Sequence, residues 1–271
     1  MNAKTYFKTS ILLFIALYGV TKAEAQDRLF TYTYQSTVLN KGQRDLESWN
    51  TLRAGRENFY LRYDNRTEYE IGLGKNIQTS FYLNLSSETR TISDNTTKSL
   101  STTNETGFSN EWKLKLLDPM ANPVGLALYG EVGVSTNEFD LEGKIILDKK
   151  IGNFTIAANG VFEHEFGPNY LNNVLVWEKE NKVEGYLAFA YAVRPKFNLT
   201  IENAFKNVIV NGELEHSALF SGLGFSYVAD KFWVNFTAVP QVASFKGETN
   251  NNLNLNEYEK VQFRLLFSYM L

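Results

Sequence analysis

Glu138-Phe139-Asp140-Leu141-Glu142-Gly143-Lys144-Ile145-Ile146-Leu147-Asp148-Lys149 decides the fold class. The odd positions from Phe139 to Leu147 are apolar or small, and most even positions carry charge. A strand points successive side chains to opposite faces, so this segment offers one face to hydrocarbon and the other to water. The same period-two pattern returns about ten times along the chain. Repeated behind an export signal, it marks an antiparallel transmembrane β-barrel.

The export signal lies at the N-terminus. Lys4 and Lys8 form a basic start, Ile11 to Val20 a short apolar core, and Ala23-Glu24-Ala25 a small-x-small cleavage site. The core falls short of the roughly 20 residues a spanning helix needs. Residues 1–25 are therefore expected to be a signal peptide, with the mature chain starting at Gln26. With no Cys, the chain can be neither a lipoprotein anchored through a thiol nor disulfide-bonded. The signal holds three Lys and one Glu, so its removal takes the net charge from −3 to −5. No basic run suggests nucleic acid as a partner. Twenty Phe and 15 Tyr against five Pro favour strands and supply the aromatic girdles of a membrane barrel.

The alternating segments are separated by links of two kinds. Short links fall near 74–76, 118–123, 151–153, 195–196 and 229–231, where Asp118-Pro119 and Gly152-Asn153 carry turn chemistry. Long polar links fall near 88–106, 166–181, 207–215 and 244–257, with one tight exception at 135–137. Outer-membrane barrels have short periplasmic turns and long extracellular loops. Counting back from the C-terminal strand gives ten strands after residue 76, and 44–54 and 59–73 bring the total to about twelve, with ten to fourteen compatible. The domain reading is a signal peptide at 1–25, an N-terminal periplasmic segment at 26–43 and an outer-membrane barrel at 44–271. Within that segment, Leu29-Phe30-Thr31-Tyr32-Thr33-Tyr34 fits a periplasmic tether, a plug or an extra edge strand. A soluble sandwich or lipocalin-like barrel shares the alternation. The signal, the link lengths and the aromatic C-terminal strand favour the membrane.

Residues 36–85 carry a resemblance. Val38-Leu39-Asn40-Lys41-Gly42 precedes Asp45-Leu46-Glu47-Ser48-Trp49, and Arg66-Thr67-Glu68-Tyr69-Glu70-Ile71-Gly72-Leu73 leads to Gln78-Thr79-Ser80-Phe81-Tyr82-Leu83-Asn84. This resembles a largely uncharacterised Gram-negative outer-membrane barrel family that begins with a Leu-Pro-Lys-Gly element. That family is related to porin-like proteins associated with the meta-cleavage pathway of phenol degradation. Here Asn40 replaces the Pro, and Gly74-Lys75-Asn76 replaces a Thr-Asp turn. Pro119 and the stretch Gly125 to Glu131 also resemble the family. The resemblance implies the barrel fold and says little about a substrate.

The candidate functional residues are the charges assigned to the inner face. Arg62, Asp64, Arg66, Glu68 and Glu70 share one segment. Glu111, Lys113, Glu131, Asp140, Glu142 and Lys144 follow, then Glu202 and Arg264. Asp148, Glu163, Glu165, Glu184, Lys115, Arg194 and Lys206 are also assigned inward, giving twelve acids against eight bases. A lipid-facing Arg or Lys at mid-membrane costs about 2–4 kcal/mol, so these charges face water or each other. Either they line a weakly cation-preferring pore or they pair into braces that fill the barrel. Twelve strands lie between the eight that side chains just fill and the sixteen that leave a channel. Small inward residues at Gly125, Ala127, Gly133, Ala157, Ala188, Ala190 and Ala192 are expected to leave room for water. Inward Tyr60, Tyr82, Tyr129 and Tyr186 fit either stacking on a solute or packing on the charges.

Other chemistry is poorly supported. A hydrolase needs a nucleophile with a base in reach. Of the two His, His164 lies between two Glu, and His216 precedes Ser217 directly, so those two side chains diverge. No ordered Asp/Asn spacing marks a calcium loop. Neither an enzyme, a metal nor a cofactor is expected. The expected partners are outer-membrane lipid and lipopolysaccharide, the barrel assembly machinery and small hydrophilic solutes. The alternative is a non-conducting surface barrel whose loops, such as 88–106 and 245–257, bind a partner or serve a structural role.

Overall fold

Each alternating segment becomes a strand, because in a bilayer every backbone N–H and C=O needs a partner that only a closed sheet or a helix supplies. The structure, a computed structural model, describes residues 28–93, 97–171, 173–247, 249 and 251–271. The signal-peptide expectation for 1–25 lies outside them. Twelve strands follow in order: β1 (Arg44–Ala54), β2 (Tyr60–Gly74), β3 (Ile77–Ser93), β4 (Lys98–Leu117), β5 (Gly125–Ser135), β6 (Phe139–Ile151), β7 (Phe154–Leu171), β8 (Val174–Arg194), β9 (Phe197–Val210), β10 (Glu213–Val228), β11 (Phe232–Lys246) and β12 (Val261–Met270). Each pairs antiparallel with its neighbours, and β1 closes on β12 from Asp45–Met270 to Ala54–Val261. The expected all-β barrel and its twelve strands are therefore observed.

The outer face is apolar. Leu128, Leu141, Ile145 and Leu147 are exposed, while Glu131, Ile146 and Asp148 are buried within. Aromatic pairs stand at both rims. Phe154–Tyr191 at 4.8 Å and Phe197–Phe225 at 6.0 Å mark the short-turn end, the base of the barrel. Phe139–Phe166 at 4.9 Å and Phe205–Phe245 at 5.6 Å mark the other end, the mouth.

The long links differ from expectation. Residues 88–93 and 98–106 continue β3 and β4, and 166–171 and 174–181 continue β7 and β8. These polar stretches still alternate and pair, so they form hairpins that stand above the apolar band. The link expected at 207–215 closes in two residues, Asn211 (φ 52°) and Gly212 (φ 83°). Asn-Gly is the sequence signal of such a type I′ hairpin, because both positions need positive φ. The connection from β11 to β12 is long, and Asn254, Tyr258 and Glu259 within it are buried. There Tyr258 is buried against Phe220 and His216, with ring centroids 5.9 and 4.9 Å apart.

Candidate functional site

The lumen is the candidate site, and its lower half is occupied by the protein itself. Residues 28–39 lie inside the barrel near its base, so of the alternatives open for the periplasmic segment 26–43 this part takes the position of a plug. The reason is backbone chemistry. A buried extended segment outside the sheet must find partners for its N–H and C=O groups, and inward side chains supply them. Leu39 N–H donates to Gln78 at 2.9 Å and Ser36 N–H to Asp148 at 3.0 Å. Asn159 clamps Tyr34 from both sides, accepting its N–H at 2.6 Å and donating to its carbonyl at 3.0 Å. The Glu202 carboxylate accepts the N–H groups of Thr31, Tyr32 and Thr33 at 2.8, 2.8 and 3.1 Å.

The wall makes room for this segment. One cross-strand row carries Gly125, Asp148, Ala157, Ala188, Glu202 and Gly222, a groove of small residues interrupted by two anchoring acids. Phe30 fills the space beside Ala157, Ala188 and Ala190. A Cβ on Gly125 would come within 2.3 Å of Ser36 Oγ. These small residues thus accommodate polypeptide, which corrects the expectation that they leave room for water. Where the segment enters β1, a Cβ on Gly72 would lie 2.1 Å from the Asn40 carbonyl oxygen, so glycine permits the close approach there.

Above the segment the lumen opens into a charged vestibule. It holds a cavity of about 530 Å³ floored by Tyr32, Tyr34 and Trp49, with another of about 260 Å³ toward β2–β6. Strand register arranges the charges. One row reads Asp45, Glu70, Ser80, Glu111, Glu131, Glu142, Glu163 and Lys182 across β1 to β8. Because strands tilt in a barrel, this row climbs from base to mouth. Like charges directly opposite each other destabilise a sheet, yet here Glu111, Glu131, Glu142 and Glu163 stand opposite one another in succession. Such local conflict is expected at functional sites.

Cations compensate the upper part of this staircase. Arg66 pairs with Glu131, Lys144 with Glu142 at 2.7 Å, and Lys206 approaches Glu184 at 3.9 Å. Lys182 serves both Glu165 and Glu163. Asp64 bridges Arg53 at 2.9 Å and Arg62 at 2.7 Å. The same cations lie on aromatic faces, Arg66 over Tyr82 at 4.0 Å and Lys144 over Tyr129 at 4.1 Å. Arg56 lies over Tyr60 at 4.0 Å, and Tyr186 donates to Glu184. In this structure the inward tyrosines therefore pack on the charges.

All thirteen candidate residues project into the lumen, but at two levels. Arg62, Asp64, Arg66, Glu131, Asp140, Glu142, Lys144 and Arg264 line the vestibule. Glu68, Glu70, Glu111, Lys113 and Glu202 are buried below or beside the segment. Sequence reasoning missed Asp45, Glu47, Trp49 and Arg53 on β1, although all occupy alternate positions of 44–54, and it missed Lys182. Arg194 is exposed at the basal rim. His164 Nδ1 meets Asn181 at 2.8 Å and the Ser217 hydroxyl meets Asn207 at 2.8 Å, so neither is arranged as a Ser-His pair.

The family model covers residues 22–271, nearly all of the chain. The chain belongs to the family of unknown function DUF6662. The link to the Leu-Pro-Lys-Gly family and to phenol metabolism does not follow from this match. No curated protein matches the chain. The fold is similar to that of an outer-membrane channel from Pseudomonas putida F1, at TM-score 0.61 and 10% identity, covering 87% of this chain and 98% of that one. It is also similar to the translocator domain of the autotransporter NalP from Neisseria meningitidis, at TM-score 0.59 and 9% identity, covering 98% of both. The beta domain of the Bordetella autotransporter BrkA gives TM-score 0.57 at 7% identity, covering 86% of this chain and all of that one. At these identities the likeness of this DUF6662 protein concerns the fold alone, which is that of outer-membrane barrels.

Proposed function

We propose that this protein is a porin-like channel for passive passage of small hydrophilic solutes, with a weak preference for cations. After export and cleavage at Ala25, residues 26–43 serve as a stopper at the periplasmic end, and passage requires them to shift. The carboxylate staircase from Glu163 down to Asp45 carries this reading, because a ring or track of acids in a narrow lumen favours cations. The resemblance of residues 36–85 to porin-like barrels supports the same class and names no solute. Passage needs no catalytic group.

A second reading is favoured by one observation, the filling of the lower lumen by the protein's own residues. On that reading the barrel does not conduct, and its loops bind a partner or its role is structural. Single-channel recording of the refolded mature chain in a planar bilayer under a salt gradient separates the two. The channel reading expects infrequent steps from wild type and frequent, cation-leaning steps from Glu202→Gln, whose weakened acceptor loosens the segment. Heat-modifiable folding of both proteins with silence from both would establish the second reading.

A further inference from the structure

The base of the lumen gathers carboxylates that the ion pairs above do not reach. Asp45 and Glu47 of β1 stand opposite Glu70 and Glu68 of β2, and Glu111 of β4 stands two strands further on, opposite Ser80. All five acids are buried, none more than 5% exposed. Among the described residues none of the five has a basic group within 4.0 Å, whereas the vestibule acids Glu131, Glu142 and Glu163 each do. Burying an uncompensated carboxylate is among the costliest acts in folding. Arg28 and Lys113 lie nearby, but Arg28 donates to the carbonyls of Phe30 and Thr31 and rests on the Tyr34 and Trp49 rings. Two cations stand against five carboxyl groups.

Polar atoms at this place also lack partners. Asp45 Oδ1, Glu68 Oε2 and Glu111 Oε1 are sealed from solvent without a hydrogen bond. Beside them is a cavity of about 20 Å³, bounded by Glu47, Glu68, Glu70 and Lys113 of the wall and by Arg28, Tyr34, Gln35 and Thr37 of the segment. That is room for one small occupant.

We propose that Glu70, together with Asp45 and Glu47 or with Glu68 and Glu111, holds a hard divalent cation such as calcium at the base of the lumen. The donors are all oxygen, the choice of hard cations. In the triads Asp45/Glu47/Glu70 and Glu68/Glu70/Glu111, one oxygen from each residue lies within 4.8 Å of the others. Oxygens on opposite sides of calcium stand about 4.6–5.2 Å apart, twice its bond length, while those of magnesium stand about 4.0–4.2 Å apart. Oxygens held within 4.8 Å of one another accommodate either ion. The sequence could not show the set, since it is assembled by register across three strands. With Gln35 and Thr37 on the cavity wall, the ion also braces the segment against the barrel.

The test uses the full mature chain refolded in non-ionic detergent without lipopolysaccharide, with terbium and calcium as probes. The Trp49 indole N–H donates to Glu47 at 2.9 Å, placing a sensitiser at the site. Excitation of Trp should give terbium emission that calcium displaces, and calcium should raise the heat-modifiability midpoint relative to chelator. Glu70→Gln, which touches both triads, should lose the emission, while Glu178→Gln on the exposed β8 hairpin should keep it. Absence of emission from wild type, or equal emission from Glu70→Gln, overturns the proposal. Should Glu70→Gln fail to fold, the wild type decides: a midpoint indifferent to calcium and chelator overturns it. None of these readouts depends on current, so a silent barrel that binds calcium would sink the channel reading and leave the site standing.

Discussion

The mouth and the base of this lumen are built from the same residue types and handle them in opposite ways. In the vestibule Glu131, Glu142, Glu163 and Glu165 each meet a Lys or Arg, in pairs that stay partly exposed to the cavity. Such part-exposed pairs each contribute about 0–1 kcal/mol, so their effect is to hold side chains off the cavity axis rather than to stabilise the barrel. At the base the acids meet polypeptide instead. Glu202 and Asp148 accept backbone N–H groups from the segment, and among the described residues the acids from Asp45 to Glu111 form no ion pair within 4.0 Å, with Arg28 and Lys113 nearby. Charge balance at the mouth suits a surface that passing solutes touch, and charge excess at the base suits one that retains something.

The largest effect expected breaks the frame both regions share. Leu141→Arg or Leu128→Arg puts a guanidinium on the lipid face, at a cost of about 2–4 kcal/mol, and should abolish the heat-modifiable band on gels. Glu142→Arg, one residue away and facing the lumen, should assemble. The reverse result would invert the two faces.

The next effect is confined to the base. Glu202→Ala removes the acceptor of three backbone N–H groups and of the Thr31 and Thr237 hydroxyls. Hydrogen bonds to a charged group contribute about 1.5–3 kcal/mol each, so the segment should leave its groove while the barrel persists. The chain has no Cys, so a Ser36→Cys probe reports this cleanly. Maleimide should label it slowly in the parent and rapidly beside Glu202→Ala. Equal rates would mean that the remaining anchors hold the segment unaided.

A smaller effect is expected at the segment's exit. Gly72→Val drives a Cβ into the carbonyls of Leu39 and Asn40. It should also speed labelling at Ser36→Cys, less than Glu202→Ala does, because Glu202 and Asn159 still grip residues 31–34.

These regions were not equally legible in the sequence. The wall was, because a lipid-facing strand obeys one rule at every second residue. The alternation around Leu141 alone assigns Asp140, Glu142 and Lys144 to the inside. The segment was not. Leu29 to Tyr34 alternates too, and nothing local distinguishes a strand in the wall from an extended chain inside it. The row Gly125, Asp148, Ala157, Ala188 and Glu202 that receives it becomes visible only once register across strands is known. The basal acids escaped for the same reason. The Asn211-Gly212 pair spells a two-residue turn, but in the sequence it reads as part of a long link over 207–215.

The smallest effect sharpens the comparison at the mouth. Lys182 is the cation nearest Glu163, Glu165 and Glu180, at the top of the staircase. Lys182→Gln therefore leaves three carboxylates at the entrance with less compensation and removes one positive charge from the vestibule. If ions enter there, the reversal potential under a salt gradient should move further toward cations. The shift should be larger in dilute salt, since the Debye length falls from about 30 Å at 0.01 M to about 10 Å at 0.1 M. The basal acids lie at the other end of the barrel and cannot replace the lost charge, so a mouth that sets selectivity must respond. A reversal potential that ignores Lys182 but moves with Glu70→Gln would transfer the selectivity step from the vestibule to the base, where the segment and the carboxylate group meet.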